Sequence, residues 1–122
     1  MDWSGERYIP GMGGQIETEH LPRYAIAREL CSGLDVLDIA CGEGYGARLL
    51  AERARSVVGV DSAPDAIAHA AARYPRPNLQ FREGTCAEIP FAGASFDLVV
   101  SFVTIEHHDR HEEMMSEFRR VL

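Results

Sequence analysis

Two groups of residues in this chain of 122 have the types and spacing to do chemistry. The first is Gly42, Gly44 and Gly46, which lie between Asp38 and Asp61. Glycines directly after an apolar run, Val36-Leu37-Asp38-Ile39, let backbone approach a bound nucleoside, because no Cβ stands in the way. A second apolar run, Ser56-Val57-Val58-Gly59-Val60, ends at Asp61. An acid about 20 residues beyond such glycines is where a nucleotide-binding βαβ unit holds ribose hydroxyls. The second group is Glu106, His107, His108 and His111. Imidazole is the side chain best matched to proton transfer near neutral pH, so this group is the candidate for acid–base work.

Two ligands fit the first group. Gly42-Glu43-Gly44-Tyr45-Gly46-Ala47 satisfies the dinucleotide pattern G-x-G-x-x-G/A, which would take a nicotinamide cofactor. A pyrophosphate, however, wants backbone N–H groups and no nearby anion. Glu43 lies inside this turn and Asp38 just before it. S-adenosylmethionine has no phosphate and carries a sulfonium cation, so acids here favour it.

The order of motifs carries a family resemblance. Val36-Leu37-Asp38-Ile39-Ala40-Cys41-Gly42-Glu43-Gly44 resembles motif I of class I S-adenosylmethionine-dependent methyltransferases. Val57-Val58-Gly59-Val60-Asp61 is similar to that family's second-strand motif. Ile89-Pro90-Phe91 with Ser95-Phe96-Asp97-Leu98-Val99-Val100-Ser101 resembles its fourth-strand region, and Glu106-His107 and Arg120-Val121-Leu122 the stretch that follows. The segments Gly5-Glu6-Arg7-Tyr8-Ile9-Pro10 and Glu19-His20-Leu21-Pro22-Arg23-Tyr24 resemble the entry region of bacterial methyltransferases associated with polysaccharide building.

The resemblance implies a site. Gly42, Gly44 and the backbone of Ala40 and Cys41 would line the cofactor, with Asp38 beneath them. Asp61 would bind the ribose hydroxyls with Ser62 beside it, the other reading of Asp61 being a helix cap. Ala40 stands where glycine is commoner, a change of one methyl group. Thr85 and Cys86 stand where an acid often lies beside the adenine; Thr85 keeps a hydrogen-bonding group, and the Cys86 N–H is a candidate partner for adenine N1. Packing is an equal reading of the Cys86 side chain. Arg23 is the candidate for the methionine carboxylate, because guanidinium can grip a carboxylate bidentately. His107, with Glu106, would sit near the methyl acceptor and take its proton. Ile105-Glu106-His107 also resembles the metal-binding stretch of small-RNA 2′-O-methyltransferases, but Val103 occupies a position that carries a ligand there, and no metal site is assigned. His108 and His111 read as a solvated helix start, and His69 as a surface residue far from the strand ends. The implied activity is methyl transfer to an oxygen of a small molecule or glycan. The alternatives are a non-catalytic S-adenosylmethionine-binding fragment and a nicotinamide-dependent oxidoreductase fragment.

The elements that must position these residues alternate. Strands are predicted at 35–40, 56–60, 79–82 and 96–102, and helices at 20–31, 45–54, 64–73 and 109–120. Leu21, Ala25, Ile26 and Leu30 form the predicted inner face of the first helix, and Met114, Met115 and Phe118 that of the last. Pro64 suits a first helical turn behind Ser62 as a cap. Residues 1–19, rich in glycine, read as an arm or loop, residues 20–122 as an incomplete S-adenosylmethionine-binding domain, and 83–95 as mostly loop. Strands alternating with helices imply an α/β fold, a Rossmann-like, doubly wound, mostly parallel sheet with helices on both faces. Only its N-terminal part, about four strands, is expected.

Composition narrows the partners. The net charge of −7 argues against a nucleic-acid footprint, which needs a basic face. No apolar run suits a membrane span, and no signal-peptide pattern appears. Cys31, Cys41 and Cys86 are odd in number and lack C-x-x-C spacing, which suggests free thiols in a reducing cytoplasm. All 12 basic residues are arginine, so Schiff-base lysine chemistry has no source here. The family runs to about seven strands, so this chain is expected to stop short of the strands covering its fourth strand. Phe96-Asp97-Leu98-Val99-Val100-Ser101-Phe102 is apolar and free of proline, and such an edge invites homodimer or other self-association.

Overall fold

The computed structural model describes residues 15–102 and 111–122. The elements in order are α1 (Gln15–Leu30), β1 (Asp35–Ile39), α2 (Tyr45–Leu50), β2 (Ser56–Asp61), α3 (Pro64–Arg73), β3 (Leu79–Glu83), β4 (Leu98–Ser101) and α4 (His111–Val121). The strands form one parallel sheet in the order β3-β2-β1-β4. The reversal of strand order falls between β1 and β4, so the C-terminal end of β1 faces a topological switch point, where open α/β sheets hold ligands.

β1 and β2 are the central strands. Val36, Leu37, Ile39, Val57, Val58 and Val60 are all buried, as expected where both faces of a parallel sheet are covered. One face carries Val36, Val57, Leu79 and Val100, packed against Tyr24 and Ala27 from α1, Cys31 just after it, and Ala47 and Leu50 from α2. The other carries Leu37, Ile39, Val58 and Val60, packed against Ile89, Phe96 and Val121. The expected α/β sheet, parallel and covered on both faces, is therefore present.

Polar staples fix the end of the sheet opposite the glycine turn. Arg55 donates to both oxygens of Asp35, at 2.9 and 2.6 Å, and the Asp35 N–H donates to Asp97 at 2.9 Å. The hydrogen bonds from Arg55 hold the Asp35 carboxyl down at about 2. Arg120 in α4 donates to the carbonyls of Phe91 and Ile89 at 2.7 and 2.9 Å, which fastens the 89–96 segment over the sheet.

Several expectations need correction. α1 begins at Gln15, so 15–19 are helical rather than part of a loop. Its inner face is Tyr24 and Ala27, continued by Cys31 just past its end, while Ile26 and Leu30 are 65% and 64% exposed and Ala25 is exposed too. Apolar residues occur all round this helix, so periodicity alone does not choose a face. α2 stops at Leu50, where bonds from Glu52 N to Leu49 O and Arg53 N to Leu50 O tighten the chain into i→i+3 turns. β4 begins at Leu98; Ser95 and Phe96 instead donate to the Val121 carbonyl. In α4, Met114 is buried but Met115 is 45% exposed. Ser62 does not cap α3, whose cap position is Ala63 with no side-chain bond. Helix α3 itself, strand β3 to within a residue, and the 83–95 connection lie where expected.

Candidate functional site

The site is built at the C-terminal ends of β1 and β2. The chain leaves β1 through a turn in which Ala40, Gly42 and Gly44 all have positive φ, at 62°, 59° and 93°. Gly44 also makes a close approach: a Cβ there would stand 2.7 Å from the Ala70 Cβ and 2.9 Å from the Phe81 ring. Glycine is thus required at Gly44 by conformation and by space together. Ala40 departs from glycine at a cost in backbone strain, because a left-handed alanine is disfavoured by roughly 1–2 kcal/mol. The residue is exposed.

Asp61 ends β2 and ties the turn together. Its Oδ2 accepts from the Gly42 N–H at 2.9 Å and its Oδ1 from the Ala63 N–H at 3.0 Å. Cys41 N donates to the Val60 carbonyl at 3.0 Å, and Gly84 N to the Asp61 carbonyl at 3.1 Å. A carboxylate offers about four acceptor sites, so two remain after the backbone bonds. The free sites suit a pair of vicinal hydroxyls. The Gly84 bond also brings the strand after α3 to Asp61, so Thr85 follows directly at the site's edge and is exposed. Cys86 is half-buried and packs against the Leu37, Ile39 and Val60 cluster. Its side chain therefore takes the packing role.

Asp38 is fully buried. The Tyr24 hydroxyl lies 3.1 and 3.3 Å from its two oxygens. Burial pushes the carboxyl up to about 8; the Tyr24 hydrogen bond opposes this shift and the nearby Asp61 charge adds to it. Burial, and then Asp38, raise the Tyr24 hydroxyl well above its ordinary value. Burial likewise raises the thiols of Cys31 (to about 11), Cys41 and Cys86, so none is a ready thiolate. All three are free.

Two partners of the turn had no signal in the sequence. The sequence places His69 on the surface far from the strand ends, yet its Nε2 lies 3.3 Å from the Glu43 carboxylate, which is only 14% exposed. Tyr24 reaches Asp38 and also covers Gly46. Neither contact has a spacing rule, because each joins elements that meet only through the fold.

The structure thus gathers Gly42, Gly44, Cys41, Asp38, Asp61 and the 84–85 backbone. It leaves Arg23 exposed on α1 and Ser62 exposed beside Asp61. His107 and Glu106 lie outside the described residues. Glu43 lies inside the glycine turn and Asp61 beside it, with the buried Asp38 beneath, ionised more readily when a cation stands above it. An acid inside the turn is unfavourable to a pyrophosphate and tolerable to a sulfonium, so the site fits S-adenosylmethionine better than a nicotinamide dinucleotide.

Comparison with known proteins agrees. A family profile described as a methyltransferase domain matches residues 37–122. A probable S-adenosylmethionine-dependent methyltransferase of Mycolicibacterium smegmatis is 44% identical over 121 residues, 98% of this chain and 46% of that protein. A ubiquinone biosynthesis O-methyltransferase of Azorhizobium caulinodans is 38% identical over 99 residues, 80% of this chain and 39% of that protein. Among solved structures, the YcgJ protein of Bacillus subtilis superposes with a TM-score of 0.76 at 25% identity, covering 84% of this chain and 47% of that one. The chain spans less than half the length of these relatives.

Proposed function

The chain belongs to the S-adenosylmethionine-dependent methyltransferase family, and from that premise we propose that it serves methyl transfer to an oxygen of a small molecule or glycan. The observation that carries the cofactor half is Asp61, held by two backbone N–H groups with acceptor sites to spare at the mouth of the glycine turn. Asp61 would bind the ribose hydroxyls. Gly42 and Gly44 would pass the ligand close to the backbone, and Asp38 would offset its positive charge from below. Thr85 and the Cys86 N–H would border the adenine, with Ser62 flanking the ribose. The cofactor, when bound, supplies an electrophilic methyl group on a sulfonium.

The oxygen acceptor is supported by the O-methyltransferase name of one relative and by the histidines that follow β4 in the sequence. A hydroxyl must lie in line with the S–CH₃ bond, so orientation would supply much of the rate. His107 is our candidate to take the hydroxyl proton, with Glu106 orienting it, and Arg23 our candidate for the cofactor's carboxylate. Formation of S-adenosylhomocysteine in the presence of hydroxylated acceptors tests the reading. Turnover with an acceptor supports it, and cofactor binding without turnover on any acceptor would favour a non-catalytic binding fragment.

We also propose self-association through β4, and a cytoplasmic location. β4 is an edge strand, pairing among the described residues with β1 alone. Three free thiols suit a reducing compartment. No helix among the described residues is long and apolar enough to cross a membrane.

A further inference from the structure

We propose that Tyr24 is a positioning residue of the cofactor site, acting through Asp38. The inference rests on the cofactor reading above. Tyr24 lies on α1, upstream of residues 37–122 that the family profile matches, yet its side chain meets three parts of the site. Its hydroxyl spans both oxygens of the buried Asp38. Its ring occupies the space that a Cβ on Gly46 would need, at the start of α2. The same ring stands edge-on to Phe102, just past β4, with centroids 4.8 Å apart and planes at 87°.

One side chain therefore fixes the turn, the carboxylate beneath it and the end of β4 relative to one another. The charge logic follows. Asp38 is shielded from water, so its ionised form needs a partner. The Tyr24 hydroxyl supplies one hydrogen bond, and a cationic ligand over the turn supplies the opposite charge. Without the hydroxyl, Asp38 is harder to ionise and less able to attract that cation. Cys31 just after α1, Cys41 in the turn and Asp61 on β2 are the other titratable groups near the pair.

Calorimetric titration with S-adenosylmethionine tests this in wild type, Tyr24→Phe, Tyr24→Leu, Asp38→Asn and the Tyr24→Phe/Asp38→Asn double variant, each also melted. Tyr24→Phe keeps the ring and should melt close to wild type while binding about tenfold more weakly, one charge-assisted hydrogen bond's worth. Tyr24→Leu should lose melting temperature as well as affinity. Asp38→Asn should weaken binding at least as much as Tyr24→Phe, and adding Tyr24→Phe to it should change affinity less than about twofold. Undiminished affinity in Tyr24→Phe, or the same tenfold loss on the Asp38→Asn background, overturns the inference while leaving the cofactor reading intact. A wild-type chain that binds no S-adenosylmethionine overturns both.

Discussion

Replacing Asp61 with alanine removes one carboxylate that does two jobs. In the free protein it accepts from Gly42 N at 2.9 Å and Ala63 N at 3.0 Å, which joins the glycine turn to the entry of α3. Hydrogen bonds to a charged group contribute about 1.5–3 kcal/mol each. Asp61 is only half-buried, so water reaches the orphaned donors and the low end of that range applies. The expected stability loss is about 3 kcal/mol for the two bonds together. Loss of the ribose contacts should weaken S-adenosylmethionine by a further ~1.5–3 kcal/mol, roughly 10- to 150-fold in Kd. Urea unfolding with and without ligand separates the two effects. Asp61→Asn is the informative companion. Its amide can accept from one backbone N–H but must turn an NH₂ toward the other, so it should recover at most half of the stability. An unchanged urea midpoint in Asp61→Ala would refute the staple, and an unchanged Kd would remove Asp61 from the ligand site.

Other perturbations follow from the same geometry. Gly46→Ala drives a Cβ into the Tyr24 ring and should destabilise by at least ~1–3 kcal/mol, read as a lower urea midpoint. Ala40→Gly relieves a φ of 62° and should leave stability equal or up to about 1 kcal/mol higher, the relief being partly offset by glycine's greater freedom when unfolded. Asp38, pushed up to about 8, favours the native state while protonated; that contribution is complete below about pH 4 and is lost as pH rises toward 8. The stability difference between wild type and Asp38→Asn should therefore change steadily between those pH values, wild type losing ground to the variant as pH rises, while groups common to both, such as Asp35, cancel. In an enzyme assay with a confirmed acceptor, His107→Ala should lower kcat about 10²–10⁴-fold with little change in cofactor affinity. Light scattering at micromolar concentration should show a dimer or larger species, and a stable monomer would mean that β4 needs no partner.

What could be read from the sequence follows from range. β1 and β2 are apolar runs closed by turns, β3 (Leu79–Glu83) alternates apolar Leu79 and Phe81 with polar residues, and the alternation of these strands with helices is enough to give a parallel α/β sheet. The glycine turn and Asp61 are also readable, because chain spacing within one βαβ unit fixes their separation in space. Local reading failed where a helix has apolar residues all round. On α1, Ile26 and Leu30 face outward while the inner position goes to Tyr24, chosen by the gap over Gly46 and by a hydroxyl partner for Asp38. The pairing of His69 with Glu43 has no local signal for a similar reason: α3 meets the turn through Ala70, beside Phe81 of β3, in a tertiary contact without periodic signature. Ser62 has the residue type and position of a cap for α3, but Asp61 already bonds the Ala63 N–H, leaving Ser62 at the surface.

The central claim is that the Gly42–Gly44 turn and Asp61 hold S-adenosylmethionine. A crystal structure of the protein with S-adenosylhomocysteine tests it most directly. The account predicts both ribose hydroxyls within hydrogen-bonding distance of the Asp61 carboxylate, with the ligand's amino-acid end over the Gly42–Gly44 backbone and its adenine beside Thr85 and Cys86. Ligand density elsewhere on the molecule, with Asp61 still bonded only to Gly42 and Ala63, would contradict it.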